Sequence, residues 1–402
     1  MAIRGSAVLL AGGVIAAVSI PLIAQQRPAS GPIARYDMRA ATVSGMGAMG
    51  GGMGMMFGGG GGNRVQRELW LRIGSTHAPD RGAPKADHFM PPAARLGKSV
   101  PLRPPGRETG PEELPQRPKG RILLFWGCGE RAPRGQPVVI DFARIAAGQM
   151  PPGLWNSTVV RDWGPTLTNS RTFARWPHGE DNKPTYLKSD SSLLGAHKVA
   201  GNYSPEMNFT VTRDFMAGLT ATTARLPTGA TRVSWTGIPL ATGYLAEQFA
   251  AKLGPDHEPV DLVMWNSSAT RMFGGGLADW LTPAQVATLI RDRAVMPPSQ
   301  TSCVVPAEVR LAGPDMQFGT LTAFGPMEEF AYPPRPADAR TPWNLEWTAR
   351  LRYRSLTTWM EAQGMSMGAQ GDQGQAPQPQ CNPRRGGLGG ILGGAIGVPG
   401  GC

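Results

Sequence analysis

The 402-residue sequence lacks the short motifs that accompany several common kinds of catalysis. It has no G-x-S-x-G nucleophile elbow, no H-E-x-x-H zinc motif, no P-loop, and no G-x-G-x-x-G loop after a predicted strand. Histidine is scarce, with five in the chain, and no two have metal-ligand spacing on a predicted element. The sequence therefore indicates no catalytic residues and no cofactor, although a catalytic site assembled from distant loops stays open as an alternative.

Long helical periodicity is also nearly absent, whereas glycine (54) and proline (39) are abundant. This composition favours turns and strands over long helices. We expect a mainly β fold with a β-sandwich architecture in two domains and one short helix near residues 283–294. That helix has a capping box, with Thr282 at the N-cap, Pro283 at the first helical position and Gln285 as the capping partner.

The first 24 residues have the pattern of a secretory signal peptide. Arg4 supplies a positive charge, Ala7 to Ile20 is an apolar run, and Ala24 is a small residue at the expected cleavage site. The alternative is an uncleaved membrane anchor, because residues 5–24 carry no charge and twenty such residues could just span a bilayer. We expect an exported protein of the periplasm, the cell surface or the extracellular space.

Composition divides the chain into five segments. Glycine-rich ends have few side chains to pack and a high entropic cost of ordering, so they predict disorder. The segments are a signal peptide (1–24), a Met/Gly-rich disordered linker (25–63), a β-rich domain with a long Pro-rich loop (64–220), a β-sandwich-like domain (221–360), and a disordered linker with a Gly-rich apolar tail (361–402).

The chain has four cysteines, Cys128, Cys303, Cys381 and Cys402, and an exported protein can oxidise them. Cys128 ends the apolar run ILLFWGC and Cys303 begins another strand-like run, whereas the other two share one flexible tail. We favour the pairs Cys128 with Cys303 and Cys381 with Cys402. Two other pairings are possible, and any of the four could be a free thiol.

The stretch LPTGATRVSWTGIPLATGYLAEQFA, residues 226–250, resembles the second and third strands of a fibronectin type III module. Val233, Trp235, Pro239 and Tyr244 match that pattern, and Leu262 to Trp265 could supply a later strand. The resemblance implies a β-sandwich that serves as a spacer or binding module and brings no catalytic residues. The predicted helix at Pro283 has no place in that family.

The charge balance indicates a partner class. With 40 Lys and Arg against 29 Asp and Glu, the net charge is +11. In an exported protein such a surplus favours an anionic envelope polymer or a membrane surface over nucleic acid, and simple solubility is the alternative. A predicted strand from Trp347 to Trp359 places Arg350, Arg352 and Arg354 on one side, where they could contact an acidic polymer or form an ordinary solvated face.

Aromatic and sulfur-containing residues supply two further candidate sites. Stacking platforms for sugars could come from tryptophans in loop-like sequence, namely Trp155, Trp163 and Trp176, unless these residues belong to the core. Thioethers are soft ligands that suit Cu(I), so a copper site could come from Met46, Met49, Met53, Met55 and Met56, although no neighbouring His or Cys supports it.

The sequence thus favours an exported, non-catalytic binding or structural module of the cell envelope. The first alternative is an extracellular or periplasmic hydrolase with a site built from loops between residues 155 and 203. The second is a metal-handling envelope protein that uses the Met-rich segment. The oligomeric state is not predicted.

Overall fold

The computed structural model describes residues 31–45, 65–105, 120–149, 160–177, 186–256, 258–272, 277, 279–338 and 340–362. This part of the chain is mainly β, as expected, and contains seventeen strands and three α-helices. The strands are, in chain order, β1 (Ala34–Gly45), β2 (Gln66–Ser75), β3 (Ala86–Phe89), β4 (Val100–Leu102), β5 (Arg121–Trp126), β6 (Val138–Asp141), β7 (Thr172–Trp176), β8 (Tyr186–Leu187), β9 (Gly195–Gly201), β10 (Met207–Val211), β11 (Ala221–Arg225), β12 (Thr231–Trp235), β13 (Gly243–Leu253), β14 (Pro259–Asn266), β15 (Ser302–Val305), β16 (Met316–Tyr332) and β17 (Trp347–Ala362).

Ten strands form one large sheet with the order β6-β5-β14-β13-β16-β17-β1-β2-β7, and β8 pairs with β2 beside β7. The pairs β1–β17 and β5–β14 are parallel, and the other neighbours are antiparallel. The four strands that follow residue 220 (β14, β13, β16 and β17) form one block in the middle of this sheet, flanked on both sides by strands that precede it. The expected domain boundary therefore runs through a single hydrogen-bonded sheet.

Strand β1 corrects the expected linker at residues 25–63. Residues 34–45 form a strand between β17 and β2 that is buried on both faces. Tyr36 and Met38 point to the apolar face, whereas Asp37 and Arg39 point to the other face. Because charged side chains alternate with the apolar ones, the segment does not have the continuous apolar sequence expected of a central strand.

Two smaller sheets pack with the apolar face of the large sheet. The four-stranded sheet has the order β10-β9-β3-β4, and the three-stranded sheet has the order β11-β12-β15. One apolar cluster includes Tyr36 and Leu351 of the large sheet, Val199 of the four-stranded sheet, and Val233 and Val305 of the three-stranded sheet. All three sheets therefore share one core.

The predicted helix is present, and the described residues contain two further short helices that were not predicted: the three are α1 (Phe142–Ala146), α2 (Pro283–Arg291) and α3 (Ala307–Ala312). Helix α2 is the predicted one, although it ends at Arg291 rather than near residue 294. Its capping box is present: Gln285 N donates to Thr282 Oγ1 at 3.2 Å, and Thr282 N donates to Gln285 Oε1 at 2.8 Å. None of the helices in the described ranges is long and apolar enough to cross a membrane.

A second apolar cluster lies on the opposite face of the large sheet, where α2 packs. Val286 and Leu289 of α2 join Leu245 of β13 and Phe324 of β16 in this cluster. The rest of that face, toward β17, β1 and β2, carries charged side chains. The helix therefore covers only part of the face, and a polar region lies beside it.

A disulfide joins Cys128, just after β5, to Cys303 of β15, with 5.2 Å between the Cα atoms. It links the large sheet to the three-stranded sheet. This is the pair that we favoured from the apolar runs next to the two cysteines. Cys381 and Cys402 lie outside the described residues, as do the expected signal peptide and the Gly-rich tail.

The residues that resemble a fibronectin type III module occupy two sheets. Trp235 ends β12 in the three-stranded sheet and Tyr244 lies near the start of β13 in the large sheet, with 5.4 Å between their ring centroids. Ile238 N, in the connection, donates to the Tyr244 hydroxyl at 3.1 Å. The resemblance itself stays a prediction.

Candidate anion-binding site

Register places charged residues of three neighbouring strands on one face of the large sheet. Along the parallel pair, Asp37 lies opposite Arg350 and Arg39 lies opposite Arg352. On the other side of β1, Asp37 lies opposite Arg72 of β2. Side chains of directly paired residues point to the same face, so a cluster of arginines forms around Asp37.

Asp37 is fully buried and accepts hydrogen bonds from four arginines. Its Oδ1 accepts from Arg350 Nε at 2.6 Å and from Arg352 Nη2 at 2.9 Å. Its Oδ2 accepts from Arg72 Nη2 at 2.6 Å and from Arg39 Nε at 3.1 Å. We call Arg39, Arg72, Arg350 and Arg352 the arginine quartet and Asp37 the inner carboxylate. Hydrogen bonds between two charged groups are the strong ones in proteins, so Asp37 fixes the quartet from below.

Asp162 contacts the same quartet from the solvent side and is the outer carboxylate. Its Oδ1 accepts from Arg350 Nη2 at 2.6 Å and lies 3.3 Å from Arg352 Nη2. Its Oδ2 accepts from Arg72 Nη2 at 2.7 Å and from Arg39 Nη2. The Asp162 side chain is 20% exposed, against 0% for Asp37. Each oxygen of the outer carboxylate thus bridges two guanidinium groups.

The loop that carries Asp162, residues 160–171, is positioned by helix α2. Gln285, the capping residue of α2, donates through Nε2 to Arg161 O at 2.9 Å. Within the loop, Asp162 Oδ1 also accepts from Gly164 N at 3.1 Å. The start of α2 therefore places the outer carboxylate next to the sheet.

The six groups do not balance in charge. Four guanidinium groups face two carboxylates, which leaves a net charge of +2. Burial opposes ionisation of Asp37 and Asp162, but the fields of Arg352 and the other arginines outweigh it and hold both pKa values well below the ordinary range. Burial lowers the pKa of Arg352 to about 10, with Arg350 and Arg39 adding to the effect and Asp37 opposing it. Asp37, Asp162 and Arg352 are therefore charged at neutral pH.

A tryptophan and a fifth arginine extend this face toward α2. The Arg354 guanidinium lies 4.1 Å from the ring centroid of Trp280, and that of Arg39 lies 5.8 Å from it. Arg352 donates through Nη1 to Trp280 O. Asp279 contributes an oxygen 3.7 Å from Arg39 Nη1. Cation–π contacts of this kind hold a guanidinium in a partly desolvated place.

Two buried glutamates, Glu68 and Glu247, interact with the charge of Arg354. Burial raises the pKa of Glu68 and raises that of Glu247 to about 7, while the positive charge of Arg354 opposes both shifts. Burial lowers the pKa of Arg354, and Glu68 is the first of the carboxylates that oppose this shift. Within the described part of the chain, Arg354 Nε has no hydrogen-bond partner. Asp279, 3.7 Å from Arg39, is a third carboxylate beside the quartet, so four guanidinium groups with three carboxylates still carry a surplus of one positive charge.

The predicted row of Arg350, Arg352 and Arg354 lies on one side of β17, as expected, but it is not an open face for a polymer. Arg352 is 1% exposed, and Arg350 is held by Asp37 and Asp162. The residues that compensate them come from strands and loops far away in the sequence. An unbroken row of three solvated cations is therefore a wrong description of this surface.

The three candidate tryptophans have different outcomes. Trp163 is 70% exposed and directly follows the outer carboxylate. Trp176 lies in β7 and is 8% exposed, so it belongs to the core and is not a surface platform. Trp155 lies outside the described residues, and so do Met46, Met49, Met53, Met55 and Met56.

Four residues of the cluster were not predicted: Asp37, Arg39, Arg72 and Asp162. A usable signal exists for β2, where Glu68, Trp70 and Arg72 alternate with apolar residues, as in a strand with one polar face. Nothing comparable marks Asp162, because it lies in a loop.

A second polar cluster lies in the core on the other face of β1. The Tyr36 hydroxyl donates to His88 Nδ1 at 2.7 Å, His88 Nε2 donates to His197 Nδ1 at 2.9 Å, and His197 Nε2 donates to Leu193 O at 2.7 Å. We call these residues the histidine chain. Burial lowers the pKa of both histidines, and in His88 the neighbouring His197 adds to the effect. Both rings are therefore neutral at pH 7.

The described residues contain no group of three or more His, Cys, Asp or Glu side chains arranged to hold a metal ion. In comparisons with known proteins, no family model, no curated protein and no solved structure matches the chain.

Proposed function

We propose that this protein is an exported, non-catalytic binding module that holds an anionic polysaccharide of the cell envelope at the arginine quartet and Trp163. The observation that carries the proposal is the surplus of guanidinium groups on one face of the sheet, where Asp162 lies across all four arginines of the quartet and has access to solvent. A guanidinium group presents its N–H donors in a planar fork that matches carboxylate and phosphate groups.

Burial of the quartet favours a polymer over a flat membrane surface. The most exposed member, Arg72, has a side chain that is only 20% exposed. A flat bilayer surface does not reach such buried side chains, whereas a single pendant carboxylate or phosphate group of a polymer is small enough to do so. Trp163 directly follows Asp162 in the sequence and is 70% exposed, and an aromatic ring gives a sugar an apolar surface on which to stack.

Two properties of the whole chain support the same function. The net charge of +11 raises the local concentration of polyanions and accelerates their association. The disulfide between Cys128 and Cys303 suits an oxidising compartment outside the cytoplasm, as does the signal-like N-terminus.

Binding is tested by titrating the full-length protein with polygalacturonate, and with neutral dextran of the same length as the control polymer. We expect binding to polygalacturonate that weakens as salt rises, and no binding to dextran. Trp163→Ala should weaken the binding about 2- to 10-fold, because an aromatic contact contributes about 0.5–1.5 kcal/mol. The matched control is Leu311→Ala, which removes an exposed apolar side chain from α3 and should leave the affinity unchanged.

Equal binding to both polymers would contradict the proposal, as would binding to vesicles of anionic lipid without binding to polygalacturonate. Location is tested separately by cell fractionation. Mass spectrometry of the alkylated protein, with and without reductant, shows whether the cysteines are free thiols or form a disulfide. If the protein is found in the cytoplasm and Cys128 and Cys303 are alkylated without reductant, the proposed location in the cell envelope is contradicted.

A further inference from the structure

We infer that Asp162 is a built-in occupant of an oxyanion site, and that a carboxylate, phosphate or sulfate group binds there by displacing it. In its application to a polymer this inference rests on the function proposed above. The displacement itself can be tested with small anions alone. Asp162 thus becomes a residue that sets the affinity of the site.

The quartet offers four N–H donors that converge on one position. The terminal Nη2 atoms of Arg39, Arg72, Arg350 and Arg352 all point to the outer carboxylate. The inner carboxylate contacts the same four guanidinium groups from below and keeps them in place. A group with two or more oxygens fits the outer position as the Asp162 carboxylate does.

The two carboxylates are held in different ways. Asp37 lies in the middle of β1, where the strand pairs with β17 and β2 on both sides. Asp162 lies in a loop, outside any strand or helix, and its side chain has access to solvent. The inner carboxylate is therefore part of the scaffold, whereas the outer one can be replaced without breaking the sheet.

Gly164 shows how closely the loop fits the quartet. A Cβ atom at this position would lie 2.5 Å from Arg72 Nη2 and 2.8 Å from Arg350 Nη2, so a larger residue would have to displace both guanidinium groups. The loop backbone therefore lies directly against the two guanidinium groups. This close fit lets the outer carboxylate reach the position of a ligand oxyanion.

Exchange of one anion for another preserves the charge balance. When a carboxylate group replaces that of Asp162, the cluster keeps its net charge of +2, and a doubly charged phosphate or sulfate lowers it to +1. The released Asp162 side chain becomes hydrated. An empty outer position would instead leave four guanidinium groups around one carboxylate, which is unfavourable in a partly buried place.

The experiment compares the wild type with Asp162→Asn by thermal unfolding in sulfate or phosphate, with chloride at the same ionic strength as the reference. We expect the variant to unfold at a lower temperature in chloride, and sulfate to raise its midpoint by about 5 °C more than that of the wild type. The matched control is Asp190→Asn, which removes a surface carboxylate that pairs with Arg95 and should respond to sulfate like the wild type.

In the polymer titration, Asp162→Asn should bind polygalacturonate about tenfold more tightly than the wild type, because an internal competitor lowers the apparent affinity. Sulfate stabilisation that is the same in Asp162→Asn and the wild type would overturn the inference. If Asp162→Asn does not fold, Asp162→Ser serves instead. It removes the same carboxylate with a smaller side chain and leaves the quartet unchanged, so it should also gain more sulfate stabilisation than the wild type, and no gain would likewise overturn the inference.

The two proposals fail in different ways. Polygalacturonate binding by the wild type with no gain in Asp162→Asn overturns the internal competitor and leaves the binding function in place. A sulfate response of Asp162→Asn, with no polymer bound by the wild type or the variant, overturns the polysaccharide function and supports the oxyanion site.

Discussion

Neighbouring residues of β1 lead to two different buried polar clusters. Asp37 points to one face of the large sheet and joins the arginine quartet, whereas Tyr36 points to the other face and begins the histidine chain. Both clusters join residues that are far apart in the sequence. They differ in charge, in access to solvent and in how completely their donors and acceptors are matched.

The histidine chain is neutral and internally matched. Both histidines carry their proton on Nε2. The three donors in the chain, the Tyr36 hydroxyl, His88 Nε2 and His197 Nε2, then each have one acceptor, and the last acceptor is Leu193 O. Phe209 stacks on His197 with 5.5 Å between the ring centroids and closes the cluster on one side. No donor is left for a ligand, so this cluster contributes to the packing of the core.

The arginine quartet has more positive than negative charge, and its outer carboxylate reaches solvent. The comparison indicates which kind of buried polar cluster can bind something. The matched neutral chain fits a role in core packing, whereas the surplus of guanidinium groups and the solvent-accessible Asp162 are the features on which the proposed binding rests.

The largest effect is expected for Asp37→Asn. This change removes the buried carboxylate that contacts all four arginines, and removing one partner of a buried ion pair costs about 3–5 kcal/mol of unfolding free energy. Urea unfolding monitored by tryptophan fluorescence measures the loss. A loss below about 1 kcal/mol, the value typical of exposed ion pairs, would contradict the central role of the inner carboxylate.

A smaller effect is expected for His88→Phe, which breaks the middle of the histidine chain. It leaves the Tyr36 hydroxyl without its acceptor and His197 Nδ1 without its donor, at a cost of about 1–3 kcal/mol for an unsatisfied buried group. Adding Tyr36→Phe to His88→Phe should recover part of this cost, because the orphaned hydroxyl is then absent. Strictly additive losses in the double-mutant cycle would contradict a hydrogen bond between the two side chains.

The clusters should also respond to different pH ranges. Both folded-state histidine pKa values lie below the ordinary 6.5, so the unfolded chain binds more protons and stability falls as pH drops below 6.5. The loss of stability caused by these two histidines should therefore grow as the pH falls further below 6.5. The pKa values of Asp37 and Asp162 lie below the ordinary 3.8, so their contribution is present above that pH and is lost only in stronger acid.

Glu247 changes the pH dependence of stability in the opposite direction to the histidines, so the experiment needs a control. Its pKa is raised to about 7, so the folded state keeps a proton that the unfolded chain releases, and stability falls as pH rises from 4.5 toward 7. Comparing the wild type with His88→Gln cancels this contribution. Urea unfolding at pH 7.5, 6.5 and 5.5 should show a shallower loss of stability in the variant, and parallel pH curves would contradict a neutral His88.

The elements that could be predicted from sequence are those with a regular local pattern. The capping box of α2 is visible in Thr282 and Gln285, and the strand alternation of β17 is visible in its arginine row. The seventeen-residue β16 was missed because Gly319 and Gly325 interrupt its pattern. The Gly319 backbone lies against the Trp359 ring, where a Cβ atom would be 2.0 Å from Cε2. The contact between β16 and β17 therefore explains why residue 319 is a glycine. The sequence of β16 alone does not reveal this contact.

The site was only half predictable for a related reason. The arginine row of β17 is a local feature, but Asp37 lies 313 residues before Arg350, and β-sheet register alone brings the two together. His88 and His197 are likewise 109 residues apart. The ion pairs of the arginines and the hydrogen bond between the histidines both join distant segments. No pattern within one segment of the sequence predicts either of them.

The smallest effect is expected for Asp190→Asn, which breaks the exposed ion pair with Arg95. Both side chains are about half exposed, with 2.6 Å between Arg95 Nη2 and Asp190 Oδ2, so water and salt screen the attraction. We expect the unfolding free energy to fall by about 0.5 kcal/mol, measured by the same urea unfolding. This loss should disappear in about 0.5 M salt, where the screening length is about 4 Å. The loss from Asp37→Asn should persist at that salt concentration, because buried charges are screened much less. If the two variants lost stability equally and with the same salt dependence, burial would not be what separates the arginine quartet from an ordinary surface pair.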